Sequence, residues 1–303
     1  MANIDYTKYM VTKPLYEACP GVKNKQSPAM TYMSSALVPE ANYYLQLAWV
    51  TGMPDPNPHV YEHVHGYDEI TFFWSGDYKQ PHTLGGEIEF YLGGQPITFN
   101  TTTSIFVPKG LRHGPVTWKK YDRPHMVMHL MLGCGDYKKA WGNSGIEKPS
   151  TKMPQKTDTT DFERYVIRSP LGELGDPDTR GRTYPSMTYM SRMQVPEANH
   201  YLEVSWLYEM PDPNPHIMGM AHDTEEIVVH VGTDPNNPED LGGEIEFMLG
   251  GQPLVFNKTS AIYVPPGVIH GPLTWKKVTN PHLEMAIMLG IGSFAEGWGG
   301  ELP

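Results

Sequence analysis

Leu84-Gly-Gly-Glu-Ile-Glu-Phe90 returns unchanged as Leu241-Gly-Gly-Glu-Ile-Glu-Phe247, an offset of 241 − 84 = 157 residues. The same offset carries Pro28-Ala-Met-Thr-Tyr-Met-Ser34 onto Pro185-Ser-Met-Thr-Tyr-Met-Ser191 and Met53-Pro-Asp-Pro-Asn-Pro-His59 onto Met210–His216. It persists at Trp118/Trp275, Pro124-His125/Pro281-His282 and Trp141/Trp298. A period this long marks a duplicated domain rather than a short-repeat solenoid. Even the leader recurs, since Asp5–Leu15 resembles Asp161–Leu171. Residues 143–160, polar and rich in Ser, Thr, Pro and Lys, read as the linker. The sequence therefore divides as an N-terminal domain over 1–142, a linker over 143–160 and a C-terminal domain over 161–303.

Inside each copy, short runs alternate apolar and polar with a period of two: Tyr43–Trp49, Glu87–Leu92, Ser104–Val107 and Met126–Leu132 in the first. Gly-Gly, Pro-Asp-Pro-Asn-Pro and Pro-Lys-Gly break these runs at the spacing of a sandwich or barrel. Only the leader around Tyr6–Tyr16 suggests a short helix, so two all-β domains are predicted. The 303 residues carry 23 Lys and Arg against 34 Asp and Glu, a net charge of −11, which disfavours a nucleic-acid partner. No apolar run is long enough for a membrane span or a secretory signal, and no membrane partner is expected. Two cysteines, Cys19 and Cys134, are too few for a disulfide framework and read as free thiols, so a cytoplasmic location is the expectation.

The chemistry concentrates in His63-Val-His65-Gly-Tyr-Asp-Glu69 and Pro108-Lys-Gly-Leu-Arg-His113. Residues two apart on an extended segment share a face, so His63 and His65 point the same way, and Glu69 can rejoin them after a bend. A strand following the Pro-x-Gly turn would deliver His113. Three imidazoles and one carboxylate, without thiolate, suit a first-row divalent ion. A solitary inward histidine is more often a satisfied core residue. Four such groups packed together without a cation, however, would strand several buried polar atoms at about 1–3 kcal/mol each.

These two segments resemble the paired signature motifs of the cupin superfamily, and their duplication makes the chain resemble a bicupin. The resemblance implies two tandem jelly-roll barrels with a metal at the mouth, and it assigns the ligands to His63, His65, Glu69 and His113. The loop Met53–Pro58 stands where the fuller pattern has a glycine before the first histidine.

The second copy retains His222, Glu226 and His270, but Met220 replaces the counterpart of His63. Two histidines and a carboxylate still make a facial triad, while a thioether is a poor ligand for a hard ion. A weak or vacant second site is expected, with one divalent ion per chain (Mn, Fe, Ni, Cu or Zn) in the first. Tyr61, two residues before His63, becomes Met218 in the second copy, and His129 becomes Ala286. Both therefore accompany only the full ligand set, and with Glu69 they are the candidates for moving protons. Buried packing is the simpler role for Tyr61 and a solvated rim position for His129. Gln46 and Tyr44 are further inward candidates, more simply explained by packing. The segments common to both copies, including Gly93-Gly-Gln-Pro96 and Trp118-Lys-Lys120, read as structural, and no glycine-rich segment has a phosphate-loop setting.

The expected activity is a metal-dependent cleavage of a carbon–carbon bond in a small, oxygen-rich, enolisable substrate such as a β-diketone or polyphenol. A dioxygenase is the first form of that reaction. A Lewis-acid hydrolase, decarboxylase or isomerase could use the same residues, and a non-catalytic ligand-binding or storage bicupin is the alternative of a different class. The sequence leaves a homodimer open.

Overall fold

The computed structural model describes residues 4–141, 154–156 and 159–298, so most of the 143–160 linker lies outside the described residues. Two compact units emerge. The first barrel comprises Pro14–Ser169, and the second comprises Met1–Lys13 together with Pro170–Pro303. This differs from the division read in the sequence at both leaders. Met10–Val11 pairs with Ser260–Val264, and Val166–Ile167 pairs with Thr103–Val107, so each leader completes the sheet of the other copy's barrel. Backbone pairing explains the exchange: each leader strand covers what would otherwise be an open edge. The leader helix is a single 3-10 turn, Tyr6–Tyr9, capped by the Asp5 side chain.

Each barrel is a large antiparallel sheet facing a three-stranded one. In the first, the large sheet runs Val166–Ile167, Thr103–Val107, Asp68–Ser75, His125–Leu132, Tyr43–Asp55, Ala29–Met33 and Leu15–Ala18, with Lys23–Lys25 also paired to Tyr43–Asp55. The small sheet runs His113–Tyr121, Thr83–Leu92 and Gln95–Thr101. Ile88, Phe90, Phe99 and Trp118 of the small sheet bury against Ala48, Phe73 and Val127 of the large one. The second barrel repeats this order with Arg180–Arg182 paired to His200–Asp212 and a small sheet of Gln252–Lys258, Asp240–Leu249 and His270–Val278. Interior strands such as Ser260–Val264 are buried at every residue, because sheet and neighbouring loops cover both faces.

The segment bearing His63 and His65 is extended without forming a regular strand. Isolated bridges join Val60 to Val116 and His63 to His113. Gly114 makes this approach feasible: its φ is +81°, and a Cβ there would lie 2.6 Å from the Tyr61 carbonyl oxygen.

Candidate metal centre

Sequence-distant elements bring the four predicted ligands of the first barrel together. His63 and His113 exchange backbone hydrogen bonds (2.9 and 3.0 Å), the amide of Gly110 donates to the His65 carbonyl (2.8 Å), and Glu69 is the second residue of Asp68–Ser75. One potential ligand atom from each of His63, His65, Glu69 and His113 lies within 4.8 Å of the others.

Each imidazole is oriented through its far nitrogen. The Nδ1 of His63 faces the Tyr61 carbonyl at 2.8 Å, that of His65 the Tyr67 carbonyl at 2.7 Å, and that of His113 the Leu111 carbonyl at 3.0 Å. A carbonyl only accepts, so each Nδ1 carries the proton and each Nε2 of a neutral ring presents a lone pair inward. Two of those lone pairs lie 3.0 Å (His65) and 3.3 Å (His113) from Glu69 Oε2, and the buried Nε2 of His63 has no hydrogen-bond partner among the described residues. Lone pairs crowding a carboxylate oxygen at such distances require positive charge between them. Burial, reinforced by His113, pushes the His63 imidazole down to about 3, so His63 supplies no charge at neutral pH, whereas the adjacent Glu69 outweighs burial and raises His65, whose proton bridges to Oε2 in the absence of a cation. A divalent cation takes the place of that proton, and the donor set fits it.

The carboxylate is pinned from behind. Glu69 Oε1 accepts from His129 Nδ1 (2.8 Å) and from the Thr71 hydroxyl (2.8 Å), which leaves Oε2 facing the imidazoles. Burial alone would raise the Glu69 carboxyl, but the surrounding imidazoles of His113, His129 and His65 outweigh it and hold it well below the usual range. His129 is buried, not a solvated rim residue, and its ring meets Trp141 edge-on at 5.4 Å. Trp141 also lies 6.0 Å from the His63 ring and donates to Gln46 Oε1 at 3.1 Å. Tyr61 reaches the site through its backbone carbonyl. Tyr44 is buried, with its hydroxyl 2.8 Å from that of Thr31. A cleft of about 470 Å³ opens beside the imidazoles, with His63, His65, Tyr67 and Ala140 in its walls.

The second barrel retains the trio. His222 and His270 turn Nδ1 toward the Thr224 and Val268 carbonyls (2.8 and 3.0 Å), and both Nε2 atoms lie 3.2 Å from Glu226 Oε2. Three hydrogen bonds or contacts around Glu69 have no counterpart here, because Met220, Val228 and Ala286 stand at the places of His63, Thr71 and His129.

Sequence reading missed a buried cation in each barrel. Lys25 is 7% exposed, with Nζ 2.7 Å from His59 Nε2; Arg182, at the corresponding position, donates to Ser205 (2.7 Å) and lies 3.8 Å from Glu284. The recurrence of a cation 157 residues on, just ahead of Pro28 and Pro185, was the available signal.

The two-barrel architecture with imidazoles and a carboxylate at each site is the fold of a bicupin. No protein-family model and no curated protein matches the sequence. Among solved structures, AerE from Microcystis aeruginosa is similar over 93% of this chain and 98% of its own, at 10% identity and a TM-score of 0.55. A serine-to-alanine mutant of Bacillus subtilis oxalate decarboxylase is similar over 88% of this chain and 74% of its own, at 10% identity and a TM-score of 0.53. An arginine-to-alanine mutant of the same enzyme covers 91% of this chain and 77% of its own, also at 10% identity and 0.53. At such identity the likeness concerns the fold. No helix among the described residues is long and apolar enough to cross a membrane.

Proposed function

We propose that the first barrel is the active site of a metal-dependent enzyme that chelates a small, enolisable, oxygen-rich compound and cleaves one of its carbon–carbon bonds, with dioxygen as co-substrate. The observation that carries this reading is the convergence of the His63, His65 and His113 Nε2 atoms on Glu69 Oε2, each ring held in the metal-binding tautomer by a backbone carbonyl. That a fold neighbour, the oxalate decarboxylase of Bacillus subtilis, is described as having Mn(II) centres is consistent with it. A divalent first-row ion held by these four residues would supply Lewis acidity toward a chelated enolate, and a redox-active one would supply electron transfer as well.

The chain's own residues do the rest. His129 and Thr71 fix the Glu69 carboxylate so that its free oxygen faces the imidazoles. His129 holds a proton on Nδ1 against Glu69 Oε1, so this pair stores a proton beside the ligand set. Trp141 walls the interior beside His63 and His129, limiting water there. Tyr61 orients His63 through its carbonyl, so its substitution should matter less than that of His129.

The test is metal analysis of protein purified without added metal, followed by oxygen uptake and product analysis with a panel of β-diketones and phenols under air and under nitrogen. Stoichiometric metal and oxygen-dependent turnover support the reading. Turnover that persists under nitrogen replaces the dioxygenase with a hydrolase or decarboxylase at the same residues. Metal-free protein that turns over, or metal that survives the loss of His63, overturns it.

A further inference from the structure

The cation positions of the two barrels differ in what surrounds them. In the second barrel Arg182 lines a cavity of about 20 Å³, room for about one water, together with Glu203, Ser205, Glu284, Ala286 and Trp298. Two buried glutamates balance its charge. In the first barrel the same positions hold Gln46 for Glu203, Val127 for Glu284, His129 for Ala286 and Trp141 for Trp298. Both carboxylates are gone and the cation remains.

Lys25 Nζ has the His59 imidazole at 2.7 Å and the Trp118 ring centroid at 5.8 Å, and no carboxylate among the described residues acts on it. His59 is itself stacked on Trp118 and cannot neutralise a cation. Gln46 Nε2, which has no partner among the described residues, is a second buried donor in the same interior, since Gln46 Oε1 is engaged by Trp141. A buried ammonium without a counter-ion is costly, and burial accordingly lowers Lys25 from its ordinary value; an anion that arrives with a ligand restores the charged form and pairs with it. The interior is shared with the metal ligands: Trp141 borders His63, His129 and Gln46, and the counterparts of Lys25, Gln46, His129 and Trp141 line one cavity in the second barrel.

We propose that Lys25 is an anion receptor inside the first barrel, so that the substrate chelated at His63, His65, Glu69 and His113 carries a further carboxylate, which pairs with Lys25 Nζ beside Gln46 Nε2. This narrows the substrate class of the proposed function to enolisable acids, and it rests on that reading. It also gives the second barrel a different fate, because Glu203 and Glu284 already occupy the place of such a carboxylate.

The experiment compares two probes that share a 1,3-dioxygen chelating unit and differ by one carboxylate: pentane-2,4-dione and 2,4-dioxopentanoate. Each is titrated calorimetrically into metal-loaded protein under nitrogen, with metal content measured on every sample. Wild type should bind the diketo acid about tenfold or more tighter than the diketone. Lys25→Met should erase that preference while keeping the metal and the diketone affinity, and Lys25→Arg should retain it. Lys25→Met should also melt no lower than wild type, because a basic group that is costly to bury has been removed; a lower melting temperature with the preference intact would mean that Lys25 only supports His59. If Lys25→Met fails to fold, Lys25→Gln gives the same reading. Equal affinities in metal-loaded wild type overturn the proposal and leave the metal centre standing, as does a preference lost with Lys139→Met, a change in the wall of the cleft beside His63 and His65, but kept with Lys25→Met. A wild type that holds no metal and binds neither probe overturns the proposed function itself.

Discussion

The two barrels share a backbone plan and diverge inside. Around the first carboxylate, Glu69 has His129 and Thr71 behind it and three imidazoles before it; around the second, Glu226 has two imidazoles and apolar neighbours at the other places. Around the buried cation the divergence runs the other way. Lys25 has lost its acidic company, whereas Arg182 sits with Glu203 and Glu284. Duplication has thus let one barrel concentrate ligands for a metal and a vacancy of negative charge, while the other has filled its interior with a self-neutralised cluster. A copy that keeps the shell and alters the interior shows which residues the fold needs and which the chemistry needs.

The largest expected effect lies at the metal ligands. His63→Ala should lower metal affinity by more than the roughly 10- to 100-fold that loss of an outer-shell partner costs, and turnover should fall with it. Met220→Ala, its counterpart, should leave the metal content of the protein unchanged. Plasma emission analysis of both variants after dialysis checks this. Equal metal contents would erase the asymmetry on which the comparison stands.

The second effect concerns pH and the second barrel. Burial raises the Glu203 carboxyl from 4.5 to about 7, against hydrogen bonds from Ser186 and the charge of Arg182. A folded-state value above the unfolded one means that the protonated group's contribution to stability is fully present below pH 4.5 and is lost as pH rises through 7. The full span corresponds to about 3 kcal/mol. Glu203→Gln should therefore match wild type near pH 4.5 and exceed it at pH 7 and above, as read by denaturant melts across that range. A flat difference between wild type and Glu203→Gln would show that Arg182 keeps Glu203 ionised throughout.

Much of this was legible in the sequence, for definite reasons. The repeat at Leu84 and Leu241 exposed the duplication, and alternation in runs such as Met126–Leu132 exposed the strands, because a half-covered sheet imposes a period of two. The ligands were legible because His63, His65 and Glu69 are close in the chain. The leader exchange was hidden, since strand pairing between Met10 and Ile262 leaves no local pattern. The carboxylate clamp was also hidden: His129 meets Glu69 across neighbouring strands, at a register that periodicity within either strand does not reveal. Lys25 was not singled out within Lys23-Asn-Lys25, because burial of a cation is a property of the whole barrel.

His129→Ala tests the clamp in the first barrel. With the ligands intact but Glu69 Oε1 held by Thr71 alone, metal affinity or turnover should drop about 10- to 100-fold, the range for loss of an outer-shell partner. His129→Gln, which restores a donor toward Glu69 but cannot carry a proton to and fro, separates the two roles. Recovery of metal binding without recovery of turnover assigns proton movement to His129, and recovery of both reduces it to a positioning residue.

The smallest effect is expected from building the clamp where it is missing. Val228→Thr with Ala286→His gives Glu226 the two partners that Glu69 has, on strands whose registers match: Val228 faces Ala286 as Thr71 faces His129. The histidine would enter the cavity that Ala286 lines, which at about 20 Å³ takes only part of an imidazole, so neighbours must shift; they include Glu284, whose Oε2 has no hydrogen-bond partner among the described residues. A competing acceptor blunts the gain, and Met220 still withholds the third imidazole. Metal affinity at His222, Glu226 and His270 should therefore rise by less than about tenfold, and adding Met220→His should raise it further. If the double variant alone equals the first barrel, His63 is dispensable, and the ranking of the two sites rests on the carboxylate clamp rather than on the number of imidazoles.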